Sequence, residues 1–141
     1  TRQKFRREVA LKIGATRVID PKVENVEQVL SGIDVTFECA GAPETIAQSQ
    51  EITRRGGSII ILGLTAAATK LEINPFNIVV NELRIQGSFL NPLTQARAAE
   101  LVGSGKLNLD ILISKVIDLD GVAAVLDAPP AEGDIKYLVC P

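Results

Sequence analysis

Apolar positions along the chain follow two rhythms, one helical and one of short buried runs. Phe5, Val9 and Ile13 recur every four residues among Arg6, Arg7, Glu8 and Lys12. That spacing predicts a helix with one buried stripe, and Gly14 suits its C-terminal stop. Arg17-Val18-Ile19-Asp20 predicts a short strand ended by Pro21. Asn25 caps a short helix whose buried side is Val26, Val29 and Leu30, stopped at Gly32. Asp34 to Cys39 predicts a second strand running into Ala40-Gly41. Pro43 suits a first helical position and Glu44 the positive end of the helix dipole. The helix they open is expected to reach Arg55 and to end at Gly56-Gly57.

Ser58-Ile59-Ile60-Ile61-Leu62 is an unbroken apolar run of the kind buried on both faces of a parallel sheet, and Gly63 ends it. Leu71-Glu72-Ile73 predicts a small extra strand, Pro75 to Asn81 a short helix, and Leu83 to Phe89 an alternating strand. Pro92 to Val102 predicts a helix ended by Gly103-Ser104-Gly105. Val116-Ile117, a capped helix over Asp120 to Leu126 and a strand over Tyr137 to Cys140 complete the chain, with one turn-rich interruption at Pro129-Pro130 and Gly133. There is no internal repeat. Helices alternating with buried strands at this spacing predict an α/β fold built on a doubly wound parallel sheet.

Composition narrows the chemistry. At 141 residues the chain has the size of one ordinary domain, and its 46% hydrophobic and 23% charged residues exclude disorder. A net charge of −2 argues against a nucleic-acid partner or an anionic membrane surface. No stretch approaches the roughly 20 apolar residues of a bilayer span. Cys39 and Cys140 lie far apart with no CxxC, so the expected compartment is the reducing cytoplasm. The chain has no His, which excludes a catalytic triad, a His–Cys nucleophile pair and an ordinary zinc site within it. It has no Met either, so Thr1 is expected to follow processing or a cut, and the opening segment lacks the apolar core of a signal peptide.

Three stretches carry a resemblance. Leu11-Lys12-Ile13-Gly14-Ala15-Thr16 precedes Val18-Ile19-Asp20-Pro21. Asp34 to Gly41 is followed by Arg54-Arg55-Gly56-Gly57 and Leu62-Gly63-Leu64. Gly87-Ser88-Phe89-Leu90-Asn91-Pro92 leads to Ala96-Arg97-Ala98. In this order and spacing they resemble the coenzyme domain of zinc-dependent medium-chain alcohol, polyol (sorbitol-like) and threonine dehydrogenases, over essentially the whole chain. The resemblance implies that residues 1–141 are the C-terminal portion of a dinucleotide-binding domain, with 115–141 returning toward a catalytic domain. It also implies a partial Rossmann-like sheet lacking the first two strands and the glycine-rich turn. No GxGxxG motif occurs in the chain, so the main-chain N–H cradle of a pyrophosphate is absent. The family's zinc belongs to the catalytic domain, whose Cys, His and Glu ligands are not in this sequence.

The resemblance assigns cofactor contacts residue by residue. Thr1 and Arg2 stand where many family members hold an acid on the adenosine ribose, an acid that repels a 2′-phosphate. With no acid there and Arg2 adjacent, NADP is favoured over NAD; a solvated Arg at a frayed terminus is the alternative. Cys39, Ala40 and Gly41 would follow the fourth family strand, at the crevice where cofactors lie, although a strand-to-helix turn can need Gly for its own sake. Cys39 has no neighbouring base in sequence to activate it as a nucleophile. Leu62, Gly63 and Leu64, with Ser88, Phe89 and Leu90, would end the fifth and sixth strands, where main-chain groups hold the nicotinamide carboxamide; ordinary strand ends are the alternative. Lys136 matches a family position whose basic side chain contacts the pyrophosphate, or is a plain surface Lys. Leu71-Glu72-Ile73 matches a strand that pairs across a two-fold axis, which implies a homo-oligomer.

The expected role is therefore the coenzyme-domain part of an oxidoreductase that passes hydride between a small alcohol or polyol and NAD(P). In the intact enzyme, as the resemblance implies, zinc binds and helps deprotonate the alcohol while the coenzyme domain positions the nicotinamide. The chain alone is expected to be inactive and a poor cofactor binder. The alternative is a non-enzymatic α/β module for binding or dimerisation. A methyltransferase-like domain would share the sheet but would also open with a glycine-rich turn.

Overall fold

A computed structural model describes residues 1–90, 93–128 and 131–141. The expectations at Asn91 and Pro92, and at Pro129-Pro130, lie outside the described residues. The chain divides into two units, Val23–Pro92 and Thr1–Lys22 with Leu93–Pro141.

In the unit Val23–Pro92, Asn25 caps α2 (Val26–Val29): its side-chain oxygen accepts from the main-chain N–H groups of Glu27 at 2.9 Å and Gln28 at 3.3 Å. Strand β1 (Ile33–Glu38) leads through Ala42 into α3 (Pro43–Ile52), with Pro43 in the first turn. Strand β2 (Thr53–Ile61), α4 (Pro75–Val80) and β3 (Arg84–Gly87) follow. The three strands are parallel and lie in the order β1-β2-β3. That consecutive order is one half of a doubly wound sheet, so the Rossmann-like fold class stands.

Parallel pairing sets Thr36 beside Ile59 and Glu38 beside Ile61 on one face of the sheet. Helix α3 covers that face: Ile46 and Ile52 are buried, and Ile59 is 0% exposed. The opposite face carries Val35 and Phe37, and Phe37 is 64% exposed. Within the run Ser58 to Leu62 only Ile59 is fully buried, while Ile60 and Ile61 are half-buried, so the two-sided burial that its composition predicts is incomplete.

The helix expected to reach Arg55 stops at Ile52. Thr53 has extended dihedrals, its hydroxyl donates to Ser49 O at 2.6 Å, and it stands 2.8 Å from the Thr36 hydroxyl. Its β-branched side chain suits a strand start. The ladder then passes from the pair Ile33–Thr53 to Val35–Ser58, so residues 54–57 bow out of the sheet. Ion pairs from Arg54 to Asp34 (2.6 Å) and Arg55 to Glu82 (3.0 Å), with Gly56 N–H donating to Asn81 O, hold the bow. Gly56, expected to end a helix, turns this bow at φ +71°. Leu71-Glu72-Ile73 is not a strand: nothing among the described residues pairs with it, and Ile73 is exposed. Strand β3 is shorter than Leu83 to Phe89, because β2 offers register partners only from Ser58 to Ile61.

The other unit holds α1 (Lys4–Lys12), α5 (Gln95–Gly103), a 3-10 turn (Asp110–Leu112), β4 (Ile113–Ile117), α6 (Val122–Asp127) and β5 (Lys136–Val139). Strands β4 and β5 are parallel, and Ser114 Oγ accepts from Ile135 N–H where their register shifts. None of the described residues of this unit is fully buried, so the stripe Phe5, Val9, Ile13 is at most half-covered. Arg17 to Asp20 is not a strand, since no ladder partner stands beside it among the described residues. It is held instead by Arg7, whose guanidinium lies 2.6 Å from the Asp20 carboxylate, and by the Thr1 ammonium on Ile19 O at 3.5 Å. Helix α6 begins two residues after Asp120, with Gly121 as its cap; Asp118 accepts from Gly121 N–H at 2.8 Å.

Candidate functional site

The carboxyl ends of β1, β2 and β3 point the same way, because the strands are parallel. Three predicted groups gather there: Cys39-Ala40-Gly41 after β1, Leu62-Gly63-Leu64 after β2 and Ser88-Phe89-Leu90 after β3. In open α/β sheets ligands lie at this edge. Cys39, Ala40, Leu62, Leu64, Ser88, Phe89 and Leu90 are exposed.

Glu38, the last residue of β1, organises two of these turns. It is 3% exposed, and it lies on the α3 face of the sheet. Its Oε1 accepts from Ala40 N–H at 2.8 Å, Gly41 N–H at 2.9 Å and the Thr45 hydroxyl of α3 at 2.7 Å. Its main-chain oxygen accepts from Leu62 N–H at 2.8 Å and Gly63 N–H at 3.0 Å. Ile61 O accepts from Ser88 N–H at 2.9 Å and ties in the third turn.

The first two turns also touch backbone to backbone. A Cβ on Gly63 would stand 2.1 Å from Gly41 N and 2.6 Å from Gly41 Cα. A Cβ on Gly41 would stand 2.4 Å from Leu64 O, and Gly41 is at φ +68°, where a side chain is strained as well. The glycine of Cys39-Ala40-Gly41 is therefore required by contact with the neighbouring turn.

This geometry bears on what the edge can bind. The N–H groups of Ala40, Gly41, Leu62, Gly63 and Ser88 are all used internally, so they form no anion cradle. The exposed side chains of Leu62, Leu64, Phe89 and Leu90 give the edge apolar surface.

The other predicted residues belong to the second unit. Thr1 O accepts from the Arg7 guanidinium at 2.8 Å, which ties Thr1 to α1. Arg2 lines an open groove of about 850 Å³ with Lys4, Arg6, Glu132, Gly133 and Asp134. Lys136 opens β5 opposite Ile113 and is exposed. Just before it, Asp134 accepts from the Tyr137 hydroxyl and from Ala131 N–H, with Lys115 Nζ 3.9 Å away. The hydrogen bond to Asp134, helped by burial and by its negative charge, raises the Tyr137 pKa.

Glu38 is the residue that sequence reasoning passes over. The available signal is a carboxylate on the strand face that carries Thr36, followed by Ala-Gly and, on the next helix, Thr45. Among the described residues no group of three His, Cys, Asp or Glu could hold a metal ion, so the residues do not fit a zinc site.

Comparison with known proteins gives the family and the fold. Residues 1–104 match the family model described as "Zinc-binding dehydrogenase". The chain is 36% identical over 118 residues to L-threonine 3-dehydrogenase of Pyrococcus horikoshii, covering 78% of this chain and 34% of that protein. It is 38% identical over 99 residues to a Rhizobium meliloti protein assigned as a D-xylulose reductase, covering 68% of this chain and 27% of the relative. A Sinorhizobium meliloti 1021 structure, assigned as a zinc-binding dehydrogenase and solved bound to NADP, superposes with a TM-score of 0.95 at 41% identity. That match covers 100% of this chain and 44% of the solved one. The chain thus spans about a third or less of these curated relatives. By the match over residues 1–104, the chain belongs to the zinc-binding dehydrogenase family.

Proposed function

We propose that this chain is the coenzyme-domain part of an oxidoreductase that transfers hydride between a small alcohol or polyol and NAD(P), and that NADP is its preferred dinucleotide. The observation that carries the reading is the gathering of three exposed turns at the carboxyl edge of a parallel sheet, in a chain 41% identical to a relative solved with NADP. When bound, the nicotinamide accepts or releases the hydride. The chain's own work is placement. Main-chain oxygens at Cys39-Ala40-Gly41 and Leu62-Gly63-Leu64 receive donor groups of the ligand, and Ser88-Phe89-Leu90 supplies apolar surface for one ring face. Thr1 and Arg2 would stand near the adenosine ribose, and Lys136 would meet the pyrophosphate.

Zinc enters no step performed by these residues. Residues 115–141 would lead toward a catalytic domain that completes the enzyme, and the assembled protein would be a cytoplasmic homo-oligomer. No helix among the described residues is long and apolar enough to cross a membrane. Without an N–H cradle the chain alone should bind weakly and turn over nothing.

Calorimetric titration with NADPH and NADH tests the reading. Binding weaker than micromolar, tighter for NADPH, is expected. Micromolar affinity would overturn the expectation of a weak isolated chain, and an NADH preference would overturn the role given to Arg2. No binding at any attainable concentration would overturn the assignment of the strand-end turns.

A further inference from the structure

Glu38 is a buried carboxyl group that makes no ion pair within 4 Å among the described residues, and the hydride chemistry described above does not use it. Every described hydrogen bond it accepts through Oε1 and Oε2 comes from the 39–41 turn or from Thr45. Its main-chain oxygen meanwhile holds the neighbouring 62–64 turn. A carboxyl so placed needs these donors, since burying it without them is costly. The carboxyl's main-chain donors belong to one of the two turns assigned to the cofactor, and the donors to its main-chain oxygen belong to the other. Gly63 rests against Gly41 and against the Glu38 carboxyl itself, 2.8 Å from a would-be Cβ. The two turns, Glu38 and Thr45 therefore form one mechanically joined cluster.

We propose that Glu38 is a positioning residue for dinucleotide binding: its carboxyl fixes the 39–41 turn and its main-chain oxygen fixes the 62–64 turn, so that one residue holds both turns in the arrangement the ligand meets. The inference rests on the strand-end reading above. It has a chemical consequence. While Glu38 occupies Ala40 N–H and Gly41 N–H, the turn cannot serve an anion.

The test uses the full 141-residue chain in four versions: wild type, Glu38→Gln, Thr45→Val and Thr45→Ser. Hydrogen–deuterium exchange is read amide by amide, and NADPH affinity by chemical-shift titration. Glu38→Gln keeps the size of the side chain and one acceptor oxygen for Ala40, Gly41 and Thr45, but it removes the negative charge and replaces Oε2, which Gly41 N–H also meets at 3.2 Å, with NH₂. Exchange at Ala40 and Gly41 should then speed up about fivefold, the difference between a hydrogen bond to a charged acceptor and one to a neutral acceptor. NADPH affinity should fall by a similar factor. Thr45→Val should give a smaller change in the same direction, and Thr45→Ser, which keeps the hydroxyl, should restore both readouts.

A control variant in the same helix, Ile46→Val, should lower the melting midpoint without changing exchange at Ala40 or affinity. Unchanged exchange at Ala40 and Gly41 in Glu38→Gln overturns the inference, whatever the cofactor does. An Ile46→Val variant that weakens NADPH as much as Glu38→Gln also overturns it, because the effect would then be general stability. If wild type binds no dinucleotide while exchange responds as expected, the strand-end reading fails and the locking role of Glu38 survives.

Discussion

Gly63→Ala probes the joined turns most sharply. Its new methyl would meet Gly41 N at 2.1 Å, Gly41 Cα at 2.6 Å and Glu38 Oε2 at 2.8 Å. Two of these atoms are backbone, so no side-chain rotation relieves the clash. Either the 39–41 turn or the 62–64 turn must move, which strains the bonds from Leu62 and Gly63 to Glu38 O. Overpacking of this kind costs about 1–3 kcal/mol, and one strained main-chain bond adds about 1 kcal/mol. A total near 3 kcal/mol corresponds, at this chain length, to a melting midpoint lower by roughly 10 °C.

Gly41→Ala meets Leu64 O at 2.4 Å and in addition places Ala at φ +68°, worth a further ~1 kcal/mol. Gly87→Ala is the internal control, because nothing lies within 4 Å of its would-be Cβ and its φ is not positive. It should stay within about 0.5 kcal/mol of wild type. Thermal melts followed by far-UV circular dichroism would rank the three. Equal midpoints for Gly63→Ala and Gly87→Ala would refute the close contact of the two turns.

Three further outcomes follow from the same structure. Ile59→Ala, on the covered face of the sheet, should cost about 3 kcal/mol in denaturant melts. Phe37→Ala, on the open face, should cost under about 1 kcal/mol, and equal losses would mean the two faces are covered alike. Tyr137 is the single Tyr in a chain without Trp, so its phenolate absorbance can be titrated alone. Its hydrogen bond to Asp134 raises its pKa. The stabilisation from this bond is complete below the ordinary tyrosine range near 10 and is lost as pH rises through the folded value. Asp134→Asn should return the titration toward the ordinary range, and no change would exclude the bond.

Where local chemistry decides structure, the sequence was readable. Asn25 caps α2, Pro43 opens α3, and the apolar run around Ile59 is a strand, each for the reason its residues suggest. Errors arose where a distant partner decides. Arg17 to Asp20 and Leu71 to Ile73 have strand composition but enter no ladder among the described residues of the single chain. At Arg54-Arg55-Gly56-Gly57 the glycines suggest a helix stop, while the helix ends at Ile52 with Thr53 already extended, and the glycines lie in the bow that follows.

The strand-end turns were found through their order along the chain. Their binding character was not, since it depends on which N–H groups Glu38 consumes, and that pairing is visible only in three dimensions. Charge reasoning also overlooks Glu38, because a lone carboxylate in a strand is usually solvated.

The central claim is that the exposed turns after β1, β2 and β3 jointly seat a nicotinamide dinucleotide. Two-dimensional amide spectra of the ¹⁵N-labelled chain, titrated with NADPH, address it directly. The account predicts that the amides of residues 39–41, 62–64 and 88–90 shift together along one binding curve. Shifts confined to other residues, with these amides still at high NADPH, would contradict it.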